Sequence, residues 1–494
     1  MNKQDRQKLR AKLARQATIK RFSMYGVMGI IVFITTAMIV LLSEGYYINP
    51  NNKQLIKNGL VFVDSAPRNA SVTINGVEEK DRTESRFTLP EGKYDFLVRR
   101  DGYRDWQRSF LLAGSEVVNL NYVLLVPTTL TPKEVSTKPA PITAASQSPD
   151  QKWIVSHTLN AGATLDIVDM SRKDPASAAI TIPATTLPTG SDTNAMQVVA
   201  WASDNQNFLV RVPIGNAVNY LVVNRSDANK TLNLNKEFGI EAQSIYLRDD
   251  KPDRFYAIDA SGSLRELELG GKTISAPKFE RVLAVKTYGA DRLLVVQKDE
   301  SSDSANYILT DKDNRMTIGQ TTKQPREEYL LDIAEYDGDA YISVGSKADG
   351  VVNIYKNLFD NIKSQSITPR PLARVDIANP QGVSFSKNAR FIAIQSGKEF
   401  VVFDNEYERT YRYSLPYDSM YLDKKVHWMD GDRLLLAAEG KQYIVDYDGI
   451  NLSELATASN VVPLAFDRPF EQFYAFTNNE SSSSLTRTSL LIEQ

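Results

Sequence analysis

A cluster of tyrosines is the first feature of this sequence whose spacing could serve recognition chemistry. Five of them fall within 15 residues, namely Tyr407, Tyr411, Tyr413, Tyr417 and Tyr421. A tyrosine side chain offers a flat apolar ring and a hydroxyl group, a combination that suits contact with sugars and peptides. Tyrosine is also a favoured strand residue, and rings at these spacings can pack between sheets. The sequence therefore leaves a binding patch and ordinary strand packing as alternatives, and it favours packing.

Residues that carry familiar catalytic or metal chemistry are scarce. The chain of 494 residues has no cysteine and two histidines, His157 and His427. The absence of cysteine excludes disulfides, thiolate catalysis and cysteine-ligated metals. A catalytic triad or metal site built from several histidines would need most of the histidines in the chain. The chain also lacks the Gly-rich and Gly-x-Ser-x-Gly motifs of nucleotide-binding proteins and hydrolases. We expect no enzyme activity, no metal and no cofactor, and we expect each histidine to be a packed or surface residue.

Carboxylates are the one type of chemical group in ample supply. The acidic turns Asp311-Lys312-Asp313-Asn314 and Asp446-Tyr447-Asp448-Gly449 could offer oxygen ligands to calcium. Neither completes a calcium-binding loop, and hairpin turns need Asp and Gly for steric reasons alone. A glycosidase needs only two carboxylates, but nothing in the spacing of the 60 acidic residues singles out a pair.

An apolar segment near the N-terminus determines where the rest of the chain is expected to lie. Residues Phe22 to Leu42 form an uncharged run of 21 residues, which as a helix spans about 30 Å, the thickness of a bilayer core. A cleavable signal peptide would have a shorter apolar core, of about 7–15 residues, and a small-x-small cleavage site. The run ends instead in Val40-Leu41-Leu42-Ser43-Glu44. We predict an uncleaved transmembrane helix at 22–42 that binds the lipid bilayer.

The charges beside this segment predict its orientation. Residues 1–21 carry eight basic side chains and one acidic side chain. Basic flanks stay in the cytoplasm, so the chain after Leu42 is expected outside it. The formal net charge is −2, and since the first 21 residues contribute +7, the remainder carries −9. This acidic remainder argues against a nucleic-acid partner.

After a tether at 43–59, residues 60–125 show the period-two pattern of short strands separated by turns. One turn is Asn75-Gly76, a strong hairpin signal. The strand spacing predicts a small β-sandwich of about six strands.

The same region resembles the PEGA domain, a family named for a Pro-Glu-Gly-Ala turn. Pro90, Glu91 and Gly92 match that turn, and Lys93 replaces the alanine. The resemblance implies a surface-associated, non-catalytic β module, often near a membrane anchor, and it brings no catalytic residues. By turn chemistry, Pro90 is expected to fix φ and Gly92 to accept a positive φ.

Residues 126–145 are rich in Pro and Thr and read as a semi-extended linker with room for one edge strand. From 146 to 494 a polar turn followed by a strand recurs about every 40–50 residues, the period of a four-stranded propeller blade. Trp201 to Val210 and Trp428 to Leu436 are two of the copies. They resemble the aromatic–Ser–x–Asp–Gly hairpins of TolB-type and WD-repeat-like propellers. We predict a mainly β chain that ends in a seven- or eight-bladed β-propeller.

These elements together indicate a function at the cell envelope. We expect a membrane-anchored, extracytoplasmic binding or scaffolding protein whose propeller presents a face to a protein or a glycan. The alternatives are an enzyme that processes surface polysaccharide or peptide with propeller carboxylates, and a structural spacer. The sequence sets neither the ligand nor the oligomeric state.

Overall fold

The fold is taken from a computed structural model that describes residues 3–43, 45–48, 55–321, 328–363, 369–417, 426–459 and 462–492. The chain forms two compact units, Met1–Val126 and Pro127–Gln494. Each unit is described by itself below.

The first unit begins with a single long helix, α1 (Lys3–Ser43). Its segment Thr18–Leu41 has a mean hydropathy of 2.3 over 24 residues, and none of it is buried against protein. Apolar side chains are exposed on all sides of the helix, Phe22 and Phe33 among them. A helix of this length and composition is typical of a membrane anchor or a signal sequence.

Eight strands complete the first unit and form two four-stranded sheets. In one sheet β2 pairs with β1, β5 and β8, and in the other the order is β4-β3-β6-β7. The strands are β1 (Tyr46–Ile48), β2 (Leu55–Ala66), β3 (Ser71–Ile74), β4 (Val77–Glu78), β5 (Ser85–Pro90), β6 (Gly92–Arg99), β7 (Trp106–Leu112) and β8 (Val117–Leu124). The segment predicted as a tether thus contains β1 and the start of β2. The antiparallel pairing of these two strands is a contact that a strand-by-strand pattern does not reveal.

Aromatic side chains join the two sheets into a sandwich. Phe87 of β5 contacts Phe96 of β6 edge to face, with 6.2 Å between ring centroids. Trp106 of β7 contacts Tyr122 of β8 in the same way at 5.8 Å. Such pairs add stability beyond the area that they bury.

The two turns that the sequence analysis singled out behave differently. Asn75 and Gly76 both have positive φ, at 48° and 82°, as the tight hairpin between β3 and β4 requires. Gly92 does not have a positive φ, so that expectation was wrong. It is the first residue of β6, and a Cβ there would come no closer than 3.7 Å to the ring of Tyr94.

The second unit is built from eight four-stranded antiparallel sheets, numbered here as blades 1 to 8. Blade 1 contains β10 (Ile142–Gln147), β11 (Trp153–Thr158), β12 (Thr164–Asp169) and β13 (Ser177–Thr181); blade 2 contains β14 (Gln197–Trp201), β15 (Asn207–Ile214), β16 (Ala217–Asn224) and β17 (Leu232–Asn233); blade 3 contains β18 (Ala242–Leu247), β19 (Arg254–Asp259), β20 (Leu264–Glu268) and β21 (Thr273–Ile274); blade 4 contains β22 (Val282–Tyr288), β23 (Arg292–Lys298), β24 (Ala305–Asp311) and β25 (Asn314–Thr321). Blade 5 contains β26 (Tyr329–Tyr336), β27 (Asp339–Ser346), β28 (Val351–Lys356) and β29 (Ala373–Asp376); blade 6 contains β30 (Gly382–Phe385), β31 (Phe391–Ser396), β32 (Glu399–Asp404) and β33 (Arg409–Ser414); blade 7 contains β34 (His427–Trp428), β35 (Arg433–Ala438), β36 (Lys441–Asp446) and β37 (Ser453–Thr457). Blade 8 contains β38 (Ala465–Phe466), β39 (Gln472–Asn478), β40 (Ser483–Ser489) and, from the start of the unit, β9 (Lys133–Lys138); a short helix α2 (Leu234–Phe238) lies in blade 2.

The ring closes through β9, which pairs antiparallel with β40 as the outermost strand of blade 8. This strand and the first part of β10 lie within residues 126–145, where the sequence analysis expected a linker with room for one edge strand. The prolines around β9 give this segment the composition of a linker. Its pairing partner β40 lies far away in sequence, so no local pattern reveals that the two strands pair. On the inner side of this seam, the amide of Gln147 makes two hydrogen bonds with the backbone of Phe466, at 2.5 and 3.4 Å.

Each blade packs its faces against its neighbours. Ile142, Ile154 and Val168 of blade 1 form a buried cluster with Tyr474 and Phe476 of blade 8. Equivalent buried clusters join blades 1 and 2, 2 and 3, 3 and 4, 4 and 5, and 5 and 6. A closed ring leaves no long sheet edge available for aggregation.

Candidate functional site

The recurrent polar hairpin of the sequence forms the turn between the first and second strands of a blade. In blade 1 the hydroxyl of Ser148 donates to Asp150 Oδ1 at 2.5 Å and accepts from the backbone N–H of Trp153 at 3.0 Å. In blade 6 Ser386 makes the same contacts with Asn388 and Phe391, at 2.7 and 3.1 Å. The motif therefore shapes the turn.

These turns lie on one face of the propeller, called the turn face below, because the first strands all run in the same direction. Backbone and side-chain hydrogen bonds connect the turns of neighbouring blades. They run from Asp150 N to Asn205 Oδ1 (3.1 Å), from Ser203 N to Asp250 O (2.7 Å), from Asp249 N to Gly289 O (3.2 Å), from Lys387 N to Asp430 O (3.2 Å) and from Arg468 Nε to Gln151 Oε1 (3.2 Å).

A cavity of about 300 Å³ opens where the central channel meets the turn face. We call it the channel cavity. The first strands of blades 1, 2, 7 and 8 form much of its wall, through Gln147, Val199, Trp428 and Phe466 among others. Its volume lies at the lower end of the range for small-ligand pockets. Of the described residues that line it, none is Asp or Glu.

Lys387 is the one Lys or Arg among the described residues that line the channel cavity. Its ammonium lies 5.7 Å from the ring centroid of Phe470. Partial desolvation lowers the pKa of Lys387, the charge of Asp430 opposes this effect, and the charge of Arg468 adds to it. An ammonium held in this way favours an anionic or hydrogen-bond-accepting group beside it.

Further around the channel, one carboxylate connects three consecutive blades through an ion pair and a hydrogen bond. Lys286 of β22 contacts Asp332 Oδ1 of β26 at 2.7 Å. The other carboxylate oxygen of Asp332 accepts from the backbone N–H of Phe385 in β30 at 3.0 Å. This carboxylate is thus already engaged by one cation and one amide, which leaves it poorly suited to act as a general base.

The four described tyrosines of the predicted cluster lie in or next to β33, the outermost strand of blade 6. Tyr411 contacts Tyr447 edge to face, with 5.2 Å between centroids. Tyr417 contacts Tyr443 at 4.7 Å. Tyr421 lies outside the described residues. The structure thus brings two of the cluster's rings against blade 7.

The other two tyrosines make different contacts. Tyr413 stacks on Phe400 at 5.5 Å, and burial raises the pKa of its hydroxyl far above the usual range. Tyr407 is partly exposed, and its ring faces the guanidinium groups of Arg390 and Arg409 at 5.2 and 5.5 Å. Among the four, Tyr407 has the ring that is most open to a ligand.

The two histidines occupy unlike places. His157 is buried in β11, where its ring nitrogens contact Thr143 Oγ1 at 2.7 Å and the Gly162 carbonyl at 3.1 Å. Burial lowers the pKa of this imidazole. His427 belongs to the wall of the channel cavity.

The acidic turns form hairpins. Asp311 and Asn314 are cross-strand partners in a two-residue turn, and Lys312 takes the positive φ of 56°. Asp446 accepts from Asn451 Nδ2 at 2.8 Å. Within the described ranges no group of three or more His, Asp or Glu side chains could hold a metal ion.

A buried charge network beside the tyrosines was not found from the sequence. Arg390 donates to both oxygens of Asp404, at 3.1 and 2.9 Å, and contacts Glu406 at 2.7 Å. The Asp404 side chain is 0% exposed. Burial alone would lower the pKa of Arg390, but Asp404 and Glu406 outweigh it and raise this pKa. Arg390 and Asp404 lie at the two ends of one β-hairpin. Many Arg and Asp residues have a similar spacing in this chain, so the sequence does not single out this pair.

Residues 58–126 match the family described as PEGA domain. No curated protein matches the chain. The chain therefore combines an N-terminal apolar helix, a PEGA domain and an eight-bladed β-propeller.

Solved β-propellers resemble the second unit. Sqt1 of Saccharomyces cerevisiae is 12% identical, with a TM-score of 0.46 over 72% of this chain and 97% of that one. The propeller domain of Cps50 (Swd1) from Myceliophteria thermophila is 8% identical, with a TM-score of 0.41 over 72% and 99%. PorZ, a surface component of the type-IX secretion system of Porphyromonas gingivalis, is 12% identical, with a TM-score of 0.38 over 70% of this chain and 43% of that one. Because these TM-scores lie below 0.5, the count of eight blades comes from the strand pairing within this chain and not from the comparison.

Proposed function

We propose that this chain is a membrane-anchored binding or scaffolding protein of the cell envelope. In this proposal α1 crosses the membrane with its basic end in the cytoplasm, and both β units lie outside. The propeller presents its turn face to an envelope protein or glycan. The PEGA domain and the propeller are both architectures suited to binding, although a fold alone does not assign a function.

The channel cavity is the single observation that carries this proposal. Ligand sites in ring-shaped proteins are concave and combine apolar walls with few polar groups. Here Val199, Trp428 and Phe466 supply apolar wall, and Lys387 supplies one charge. The wall has no Asp or Glu among its described residues, which supports binding over the acid–base chemistry of a glycosidase.

Site-specific photo-crosslinking in intact cells tests the proposal. A benzoylphenylalanine at Val199, 41% exposed on the first strand of blade 2, should crosslink to one or a few discrete envelope components. The matched control is the same probe at Leu232, 36% exposed on the outermost strand of the same blade.

A crosslink at 199 that is absent at 232, and that weakens in Lys387→Gln, would support binding at the channel cavity. Identical crosslink patterns at the two positions, or none at 199, would contradict it. The Lys387→Gln change is not expected to unfold the protein, because Lys387 is a solvent-exposed turn residue.

A further inference from the structure

A second and larger cleft lies at the closing seam of the propeller, and none of its described lining residues lines the channel cavity. It has a volume of about 480 Å³ and is called the seam cleft below. It is lined by the entry segment of the unit, by β9 and β40, and by the C-terminal residues. Its charged and hydroxyl-bearing lining residues are Thr129, Thr131, Lys133, Lys173, Arg487 and Ser489.

Strand register places two cations of the seam cleft directly opposite each other. Lys133 of β9 and Arg487 of β40 are cross-strand partners. Directly opposite residues lie on the same face of a sheet, so both side chains lie beside the cleft at the strand pair that closes the ring.

A third cation approaches from blade 1. Arg487 donates a hydrogen bond to the backbone carbonyl of Lys173, which fixes the loop after β12 beside β40. The Lys173 side chain is exposed and lines the cleft. Two acidic residues border this loop. Asp169 is already held by Arg172 at 3.0 Å and by Ser171 at 2.6 Å, and the exposed Asp174 is not among the described residues that line the cleft.

The described lining of the seam cleft therefore includes three cations, the hydroxyl groups of Thr129 and Thr131, and no carboxylate. The third hydroxyl, that of Ser489, already bonds the backbone of Leu491. Phosphate groups are bound by this combination, since charged donors and hydroxyls together satisfy several oxygens of one anion.

We propose that the seam cleft binds a phosphate-bearing ligand. The shared chemistry is a phosphate monoester or diester, whether on a soluble molecule or on a lipid headgroup. This inference does not depend on the channel cavity, so either site can fail its test without the other.

Calorimetric titration of the full chain in non-ionic detergent with inorganic pyrophosphate, at constant ionic strength, tests the site. We expect saturable binding that weakens about tenfold or more in Lys173→Gln and further in Lys173→Gln/Arg487→Gln, because each change removes a charged contact. The control is Lys236→Gln, an exposed lysine in α2 outside the cleft, which should bind as the wild type does.

Thermal unfolding gives a second readout that separates binding from folding. Pyrophosphate should raise the unfolding temperature of the wild type and of Lys236→Gln and have little effect on Lys173→Gln, which lacks only an exposed side chain. Equal rises in all three proteins would indicate a general salt effect and overturn the proposal, as would the absence of saturable binding.

A lipid arm distinguishes the two sources of phosphate. The full chain is placed in bilayer discs of phosphatidylcholine, with or without phosphatidylglycerol. Weaker pyrophosphate binding by both the wild type and Lys236→Gln in the phosphatidylglycerol discs would assign the site to a lipid headgroup. Unchanged binding would assign it to a soluble or polymeric phosphate ligand.

Discussion

At the scale of single residues, the tyrosine cluster shows how one residue type serves several purposes within one β-hairpin. Tyr413 stacks on Phe400, Tyr411 packs on the next blade, and Tyr407 keeps an accessible ring. The close approach of Tyr413 to the neighbouring blade depends on Gly449. A Cβ at this glycine would lie 2.5 Å from the tyrosine ring, and its φ is +86°.

We predict that Gly449→Ala destabilises the protein through both strain and steric conflict. The left-handed backbone costs about 1 kcal/mol for alanine, and the overlap with the ring adds about 1–3 kcal/mol. Denaturant unfolding of the full chain measures the sum. The control is Gly440→Ala, whose φ is +75° but whose Cβ would meet nothing within 4 Å. Equal losses in both variants would show that the ring contact contributes nothing.

The buried His157 predicts a pH effect on stability. Its pKa is lowered from 6.5 by burial, so below pH 6.5 the unfolded chain binds a proton that the folded protein does not. The free energy of unfolding should therefore fall as the pH drops below 6.5, by up to about 1.4 kcal/mol per pH unit from this group. Above pH 6.5 both states are neutral at this position and the effect vanishes.

Urea unfolding at pH 7.5 and 5.5 measures this effect. In His157→Gln the additional loss at low pH should disappear, even if the lost hydrogen bonds lower the stability at both pH values. An unchanged pH dependence in the variant would show that His157 is not the responsible group.

At the scale of elements, β9 closes the propeller, although its own sequence does not indicate this role. It is a short, partly exposed edge strand, yet it joins the beginning of the propeller to blade 8. Because each blade packs only on its neighbours, opening this seam exposes the faces of blades 1 and 8.

We predict that replacing residues 133–138 of the full chain by a Gly/Ser segment of equal length loosens both seam blades. Hydrogen exchange should become faster across β10–β13 and β38–β40. The matched control replaces β13, the outermost strand of blade 1, which also pairs with one neighbour but does not close the ring. There the faster exchange should stay within blade 1. A purely local effect in both variants would contradict the closing role of β9.

At the scale of the whole molecule, the charge distribution predicts how the chain sits in a membrane. The basic N-terminal part of α1 continues without interruption into the apolar segment. Under the proposed topology, protease added outside intact cells should degrade the propeller, and alkaline phosphatase fused to Gln494 should be active.

Removing the positive flank should disturb this orientation, because basic residues near a span hold it in the cytoplasm. The test replaces the eight basic residues of 1–21 by Gln and measures the activity of the fused phosphatase. The control replaces eight exposed Lys or Arg residues of the propeller. Full phosphatase activity in the first variant, or protection of the wild-type propeller from protease, would contradict the proposed topology.

Much of the fold could be predicted from residue patterns because the determining interactions are local. The apolar run at 22–42, the period-two strands of 60–125 and the recurrent hairpins after 146 each reflect a periodicity that a strand or helix imposes on its own side chains. Hairpins such as Asn75-Gly76 also pair neighbours in sequence, so their register follows from the turn.

The candidate sites could not be predicted in the same way, because each brings distant residues together. The channel cavity joins residues of blades 1, 2, 6, 7 and 8, and the seam cleft sets Lys133 against Arg487. By itself, the sequence determined the apolar segment, the β character, the PEGA domain and the repeat. Only the tertiary structure decided that there are eight blades, that β9 closes the ring and which charges meet, because those outcomes depend on long-range pairing that local periodicity does not encode.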